Sequence, residues 1–310
     1  MITTLFGRSN PVNYFFIVLL LTSCLGIYTF SASIPFDVLS WGILSIKALF
    51  FSLFILFLAQ FVSIKNQLVK DHAYVMYFFV AFILYIPSIF INIKLLSAAF
   101  FVMLAIRRLI SVQNLSNTKP KILDASIWVF TATLIDFWCI VFIVPVFLTI
   151  IFHVATDYRN WFIPFIAAFT VSTLFLMLVL LFDLTWFASW VKQQHISFDF
   201  SYFSSKTESA AVGLYIFASL VFMLHLLLQL PKKQAKSRTS IIIVLLTWFV
   251  SISVFVLTPQ KSNAVLVYSL FPSAVMAGHF METHKDTWLK DMIALIVLCA
   301  GVFLFIWHLT

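Results

Sequence analysis

Long apolar runs separated by short polar loops repeat along the chain from residue 12 to residue 308. A helix that crosses a bilayer needs about 20 apolar residues. Runs at 12–30, 41–62, 161–182, 210–230, 240–257, 263–280 and 292–308 have that character. Another run at 74–91 bends near Pro87, and 95–109 follows after a tight turn at Asn92 and Lys94. The ten-residue alternation of a transmembrane β-barrel is missing. The pattern predicts one all-α integral-membrane domain, a polytopic helical bundle over residues 1–310. The first run, preceded by Arg8, reads as an uncleaved span rather than a signal peptide.

The stretch 121–154 is ambiguous. At about 34 residues it is too long for one helix and short for two. It carries Asp124 near its start and Asp136 in its middle. Charge decides between the readings, because Lys and Arg collect in cytoplasmic loops. With two helices breaking near Asp136 and the N-terminus inside, fourteen cations fall inside: Arg8, Lys65, Lys70, Arg107, Arg108, Lys119, Lys121, Arg159, Lys232, Lys233, Lys236, Arg238, Lys285 and Lys290. Four fall outside, namely Lys94, Lys192, Lys206 and Lys261. A single crossing gives ten against eight. The two-helix count predicts about eleven membrane segments with a cytoplasmic N-terminus.

Two further expectations follow. The segments 95–109, 122–135 and 137–152 hold only 14 to 16 residues. A 15-residue helix rises about 22 Å against a hydrocarbon core of roughly 30 Å. Short neighbouring helices of this kind predict the wall of an outward-facing cavity. Near 184–194, Leu184, Phe187 and Val191 repeat at helical spacing beside Trp186 and Trp190, the pattern of an amphipathic helix lying in the interface.

Composition agrees with the pattern. The chain is 63% hydrophobic and 10% charged, with a mean hydropathy of +1.09, far from a water-facing domain at about 25% charged. The net charge of +8 lies in short loops, where topology and lipid headgroups account for it without nucleic acid. Membrane lipids are therefore the expected partners. Cys24, Cys139 and Cys299 are far apart and read as small hydrophobes. The six glycines form neither a phosphate loop nor a GxxxG motif, so no nucleotide cofactor is expected.

The candidate chemistry is sparse. On the outer side, Asp37 and Asp136 are the carboxylates placed to act as a general base. Lys47, six residues into the second span, and Lys94 are the cations placed to hold a lipid phosphate. Asp183 reads as a cap of the interfacial helix. On the inner side, Arg107 and Arg108 form a second pair suited to a lipid phosphate. In the run 279–284, His279 and Glu282 are three apart, but His284 is five from His279, so no metal site is expected.

Several stretches resemble a family of polytopic membrane proteins of Bacteroidota bacteria: Phe6-Gly7-Arg8-Ser9-Asn10-Pro11-Val12-Asn13-Tyr14, Arg107-Arg108-Leu109-Ile110-Ser111, Lys121-Ile122-Leu123-Asp124-Ala125, and Asp157-Tyr158-Arg159-Asn160-Trp161-Phe162-Ile163-Pro164. That resemblance implies a bacterial inner-membrane location and no specific chemistry; a scaffold role would add other inner-membrane subunits as partners. The architecture is also similar to the multi-span, polyprenyl-phosphate-dependent glycosyltransferases. This likeness implies a catalytic carboxylate at Asp37, in the first outer loop, and a polyprenyl phosphate held by Lys47 and Lys94. The chain departs from those enzymes in its short first loop, its single acid there and its lack of a soluble C-terminal domain. Two functions are thus expected to compete: a non-enzymatic membrane component, either a small-solute or lipid transporter or a scaffold, and a glycosyltransferase-like enzyme.

Overall fold

The computed structural model describes residues 6–7, 9–31, 38–182, 195–198, 205–233, 235–259, 261–284 and 286–309. The expected interfacial helix near 184–194, Asp37 and Asp183 lie outside them. Among the described residues there are eleven α-helices and no strand. They are α1 (Pro11–Ser31), α2 (Val38–Lys65), α3 (Tyr74–Ile83), α4 (Ile93–Ser111), α5 (Thr118–Ile135), α6 (Ile143–Val154), α7 (Arg159–Phe182), α8 (Lys206–Gln229), α9 (Ala235–Leu257), α10 (Val267–Thr283) and α11 (Thr287–Leu309). Nine helices among the described residues, α6 taken with the 3-10 turn before it, are long and apolar enough to cross a membrane. The chain is a multi-pass, all-helical membrane protein.

α3 and α10 form the centre and pack against each other. Every residue of α3 is buried, as is every residue of α10 from Val267 to Met281. Both are interrupted. α3 stops at Ile83 and resumes as a 3-10 turn, Pro87–Phe90, where proline removes a backbone donor. α10 is entered through the 3-10 turn Asn263–Leu266, which packs on the first one. The longer helices surround this pair and turn exposed Phe, Leu and Ile outward, for example Phe15 and Phe16 on α1, Phe50 and Phe54 on α2, and Phe165 and Phe169 on α7.

α11 is fastened to α3 by close approach and by two phenols. Tyr77 donates to the Ala294 carbonyl at 2.8 Å, and Tyr85 donates to that of Val297 at 3.0 Å. A methyl group added at Gly301 would lie 2.9 Å from the Ala81 carbonyl oxygen, so only glycine fits. Small residues at helix contacts are the usual device where lipid supplies no hydrophobic drive.

The predicted break in 121–154 is present. α5 ends at Ile135, Asp136 is extended (φ −128°, ψ 111°), and a 3-10 turn, Phe137–Phe142, leads into α6. The Lys119–Asp157 ion pair (2.8 Å) joins the start of α5 to the residues after α6, so the two run antiparallel. The expected shortness is corrected. α4 has 19 residues and α5 has 18, while Phe137–Val154 is one continuous piece of 18. An apolar window stops at Lys94, Arg107 or Lys121. The helical backbone continues through them, because long cationic side chains reach the interface from inside a helix.

Side-chain contacts sort the loops into two ends. At the basic end, Ser9 meets Asp71, Gln113 meets Asn66 and Ser240, Lys121 donates to the Ser111 carbonyl, and Arg108 pairs with Asp124 at 2.9 Å. At the opposite end Trp41 donates to Thr29, Lys261 to the carbonyls of Ser197, Val256 and Thr258, and Asn263 to that of Glu208.

Candidate functional site

Two groups of buried polar and ionisable residues stand at the two ends of α10. At the basic end Glu282, in the last turn of α10, is buried with only 7% of its side chain exposed. Its Oε1 lies 2.7 Å from Nε2 of His72, itself 6% exposed, and also accepts the backbone N–H of Lys70. His72 precedes α3, so the pair ties the two central helices together. Gln60 of α2 closes the site from the side, donating to the His72 carbonyl at 2.6 Å and lying 3.4 Å from the Tyr14 hydroxyl of α1.

His279 is one turn before Glu282 and 1% exposed, and neither of its ring nitrogens has a hydrogen-bond partner among the described residues. Nδ1 of His72 and Oε1 of Gln60 are also without partners among those residues. Such orphaned buried atoms are few in native proteins and call for an explanation. On the other flank, Nε2 of His225 in α8 lies 2.7 Å from the Thr283 hydroxyl. The His225 ring packs on Phe280 at 4.7 Å and lies 5.7 Å from the His284 ring. Four of the seven histidines of the chain therefore gather around one carboxylate. Among the described residues no group of three or more His, Cys, Asp or Glu is arranged to hold a metal ion. What the cluster does hold is a buried carboxylate bonded to one imidazole, with a second, unbonded imidazole one turn away.

At the opposite end Asp136 is 6% exposed and accepts the Tyr268 hydroxyl at 2.7 Å. The same phenol also meets the Cys139 thiol. Ser269, next to Tyr268 on α10, and Ser273, just over a turn further along, bond Tyr215 of α8 at 2.7 and 2.9 Å. This carboxylate is enclosed among protein groups rather than facing water, which corrects the expected cavity wall. Tyr268 occupies its Oδ2.

Lys47 is exposed on the outward face of α2, and Lys94 is exposed in the first turn of α4, near enough to Cys139 to act on it electrostatically. Arg108 is taken by Asp124, while Arg107 turns to the Phe61 ring at 5.2 Å. The sequence reading held His279, Glu282 and His284 in view and set them aside on their spacing along one helix. The partners that complete the group, His72 and His225, stand 210 and 58 positions away from the residues they bond. Histidines next to or within apolar runs were the available signal. Comparison with family models, with curated proteins and with solved structures finds no match, so the site rests on its own geometry.

Proposed function

We propose that the protein is a non-enzymatic component of a bacterial inner membrane, and within that class a transporter of a small solute or lipid. The reading places the N-terminus and the basic end in the cytoplasm, with eleven crossings, in keeping with the gathering of Lys and Arg at that end. It rests on one observation: the buried His72–Glu282 pair, with the unbonded His279 beside it, at the cytoplasmic end of a helix that touches no lipid. Ionisable groups in a span are costly and mark ion or proton pathways. Interrupted helices at the centre of a bundle are the usual setting for an exchange site. Protonation of this cluster would weaken or strengthen the tie between α3 and α10, and so bias one arrangement of the central pair over another.

The glycosyltransferase-like alternative has less support. Lys47 and Lys94 are exposed, and Asp136 is engaged by Tyr268. A scaffold would need the polar cluster only for packing.

The test is flux into proteoliposomes carrying an internal pH-sensitive dye, against a panel of small solutes and fluorescent lipids, with and without a proton gradient. Wild-type protein should move at least one of them in a gradient-dependent way. Glu282→Gln, folded by size-exclusion profile, should lose that dependence. Flux that is indifferent to Glu282→Gln, or no flux of any probe alongside co-purifying membrane subunits, would turn the assignment to a scaffold.

A further inference from the structure

Where α2 and α4 reach the basic end, two cations converge on one aromatic ring. The Lys65 ammonium is 4.9 Å and the Arg107 guanidinium 5.2 Å from the Phe61 ring centre. The two charges therefore lie within about 10 Å of each other, where like charges repel in a medium drier than water. Two other cations at this end have carboxylates, Arg108 with Asp124 and Lys119 with Asp157. Among the described residues, Lys65 and Arg107 have none. The Phe61 face supplies a weak attraction to both and leaves their outward N–H groups free.

The face of α2 above them is a continuous lane. Phe61, Phe57, Phe54, Phe50 and Ile46 follow Lys65 at spacings of three or four, so they share one side of the helix, and all are exposed. Phe100 of α4 packs against Phe54 at 5.8 Å and forms part of the floor. Between Phe57 and Ile46 the lane deepens into an apolar groove of about 430 Å³. At 1.5 Å per residue, Phe57 lies about 12 Å above Lys65 along the helix, within the depth of one leaflet.

We infer that this lane is a binding site for an anionic phospholipid of the cytoplasmic leaflet. Its phosphodiester sits between Lys65 and Arg107, and one acyl chain runs along Phe61 and Phe57 into the groove. The unpaired cations require an anion, and the apolar lane that begins at the same point requires that the anion carry a chain. Free phosphate fits the first requirement and not the second. A zwitterionic lipid brings its own ammonium and competes with the cations.

The experiment is lipid binding to the purified, delipidated full chain in detergent, read by native mass spectrometry. The probes are phosphatidylglycerol, phosphatidylcholine with the same chains, and glycerol phosphate as the headgroup alone. Phosphatidylglycerol should bind preferentially. Lys65→Gln or Arg107→Gln should each reduce its affinity about fivefold, and the double variant about 30-fold. Lys65→Arg with Arg107→Lys keeps both charges and should keep the preference, which separates lost charge from lost fold. Lys47→Gln, at the far end of the same helix face, should change nothing. Phe54→Ala with Phe57→Ala should weaken both lipids alike. Equal binding of the two lipids, glycerol phosphate binding as tightly as phosphatidylglycerol, an unaltered double variant, or a dimer through α2 that excludes lipid would each overturn the assignment.

Discussion

At one end of α10, Asp136 receives a single phenol from Tyr268 and is enclosed. At the other, Glu282 takes a backbone N–H and a histidine, while a second histidine beside it is left without a bond. The Asp136 residue is 6% exposed and the Glu282 side chain 7%, so burial of the carboxylates alone does not separate them. What differs is the chemistry of their partners. The Asp136 end has one phenol on the acid, at the break between α5 and α6. The Glu282 end joins the acid to a histidine and a backbone N–H, and it retains unused donors and acceptors on His72, His279 and Gln60. A neutral donor on an acid fixes a structure, whereas an incompletely satisfied ionisable group is sensitive to its surroundings.

The largest expected effect breaks that second end. Glu282→Ala leaves His72 buried without its partner and the Lys70 N–H without an acceptor, and should cost about 3–5 kcal/mol. Thermal unfolding of detergent-purified protein measures it. Glu282→Gln, whose amide oxygen still accepts from Lys70, should recover part of the loss. Tyr268→Phe strips Asp136 of its side-chain donor and should cost about 1–3 kcal/mol by the same assay. If Tyr268→Phe proves the more damaging of the two, the contrast between the ends is mistaken.

His279→Leu sharpens the comparison from the other side. Since the ring makes no hydrogen bond, its replacement should leave stability within about 1 kcal/mol of wild type. Gradient-dependent flux should nonetheless fall. A loss of several kcal/mol would mean that this imidazole is structural.

The smallest effect concerns the Lys119–Asp157 pair outside both networks. The hydrogen bond from Lys119, with a second from the Arg159 backbone N–H at 3.0 Å, holds the Asp157 carboxyl below the usual carboxylate range. A folded-state pKa below the unfolded one contributes stability above the unfolded value, and this is lost as pH falls through the folded one. The difference in melting temperature between wild type and Asp157→Asn should therefore be small at pH 7, begin to shrink only as pH falls past about 4, and vanish below the lowered folded value. A difference that widens on acidification would contradict the pairing.

Much of the fold was legible because hydrophobic runs and loop charges are direct consequences of the bilayer. The interruption at Asp136 followed from a length that suited neither one helix nor two, together with the positions of the cations. Helix ends were misread where a charge inside a helix, such as Lys94 or Lys121, looked like its boundary. Pro87 marked a bend, yet α3 already stops at Ile83, since Leu84 to Ile86 lead into a different helical winding. Asp136 was read as an outer-side acid at the break, but its partner Tyr268 belongs to a helix more than a hundred positions later. His279, Glu282 and His284 were weighed only as a metal site, where His284 is out of register, and spacing along one helix cannot reveal the partners His72 and His225 that packing brings from elsewhere.

The complete enclosure of α10 also bears on how the chain enters a membrane. Of the nine helices among the described residues that are apolar enough to cross, it is the least apolar, and α3, its partner, is only ten residues long. Neither is a strong insertion signal, while their lipid-facing neighbours are. The two central helices must therefore be accepted by helices already in place, and α10 emerges from the ribosome only after α1 to α9 have been made. Until then α3 lacks its main contact. Biogenesis of this protein should thus pass through a stage in which the outer helices hold an unfilled slot, which the helix carrying Tyr268, His279 and Glu282 then occupies.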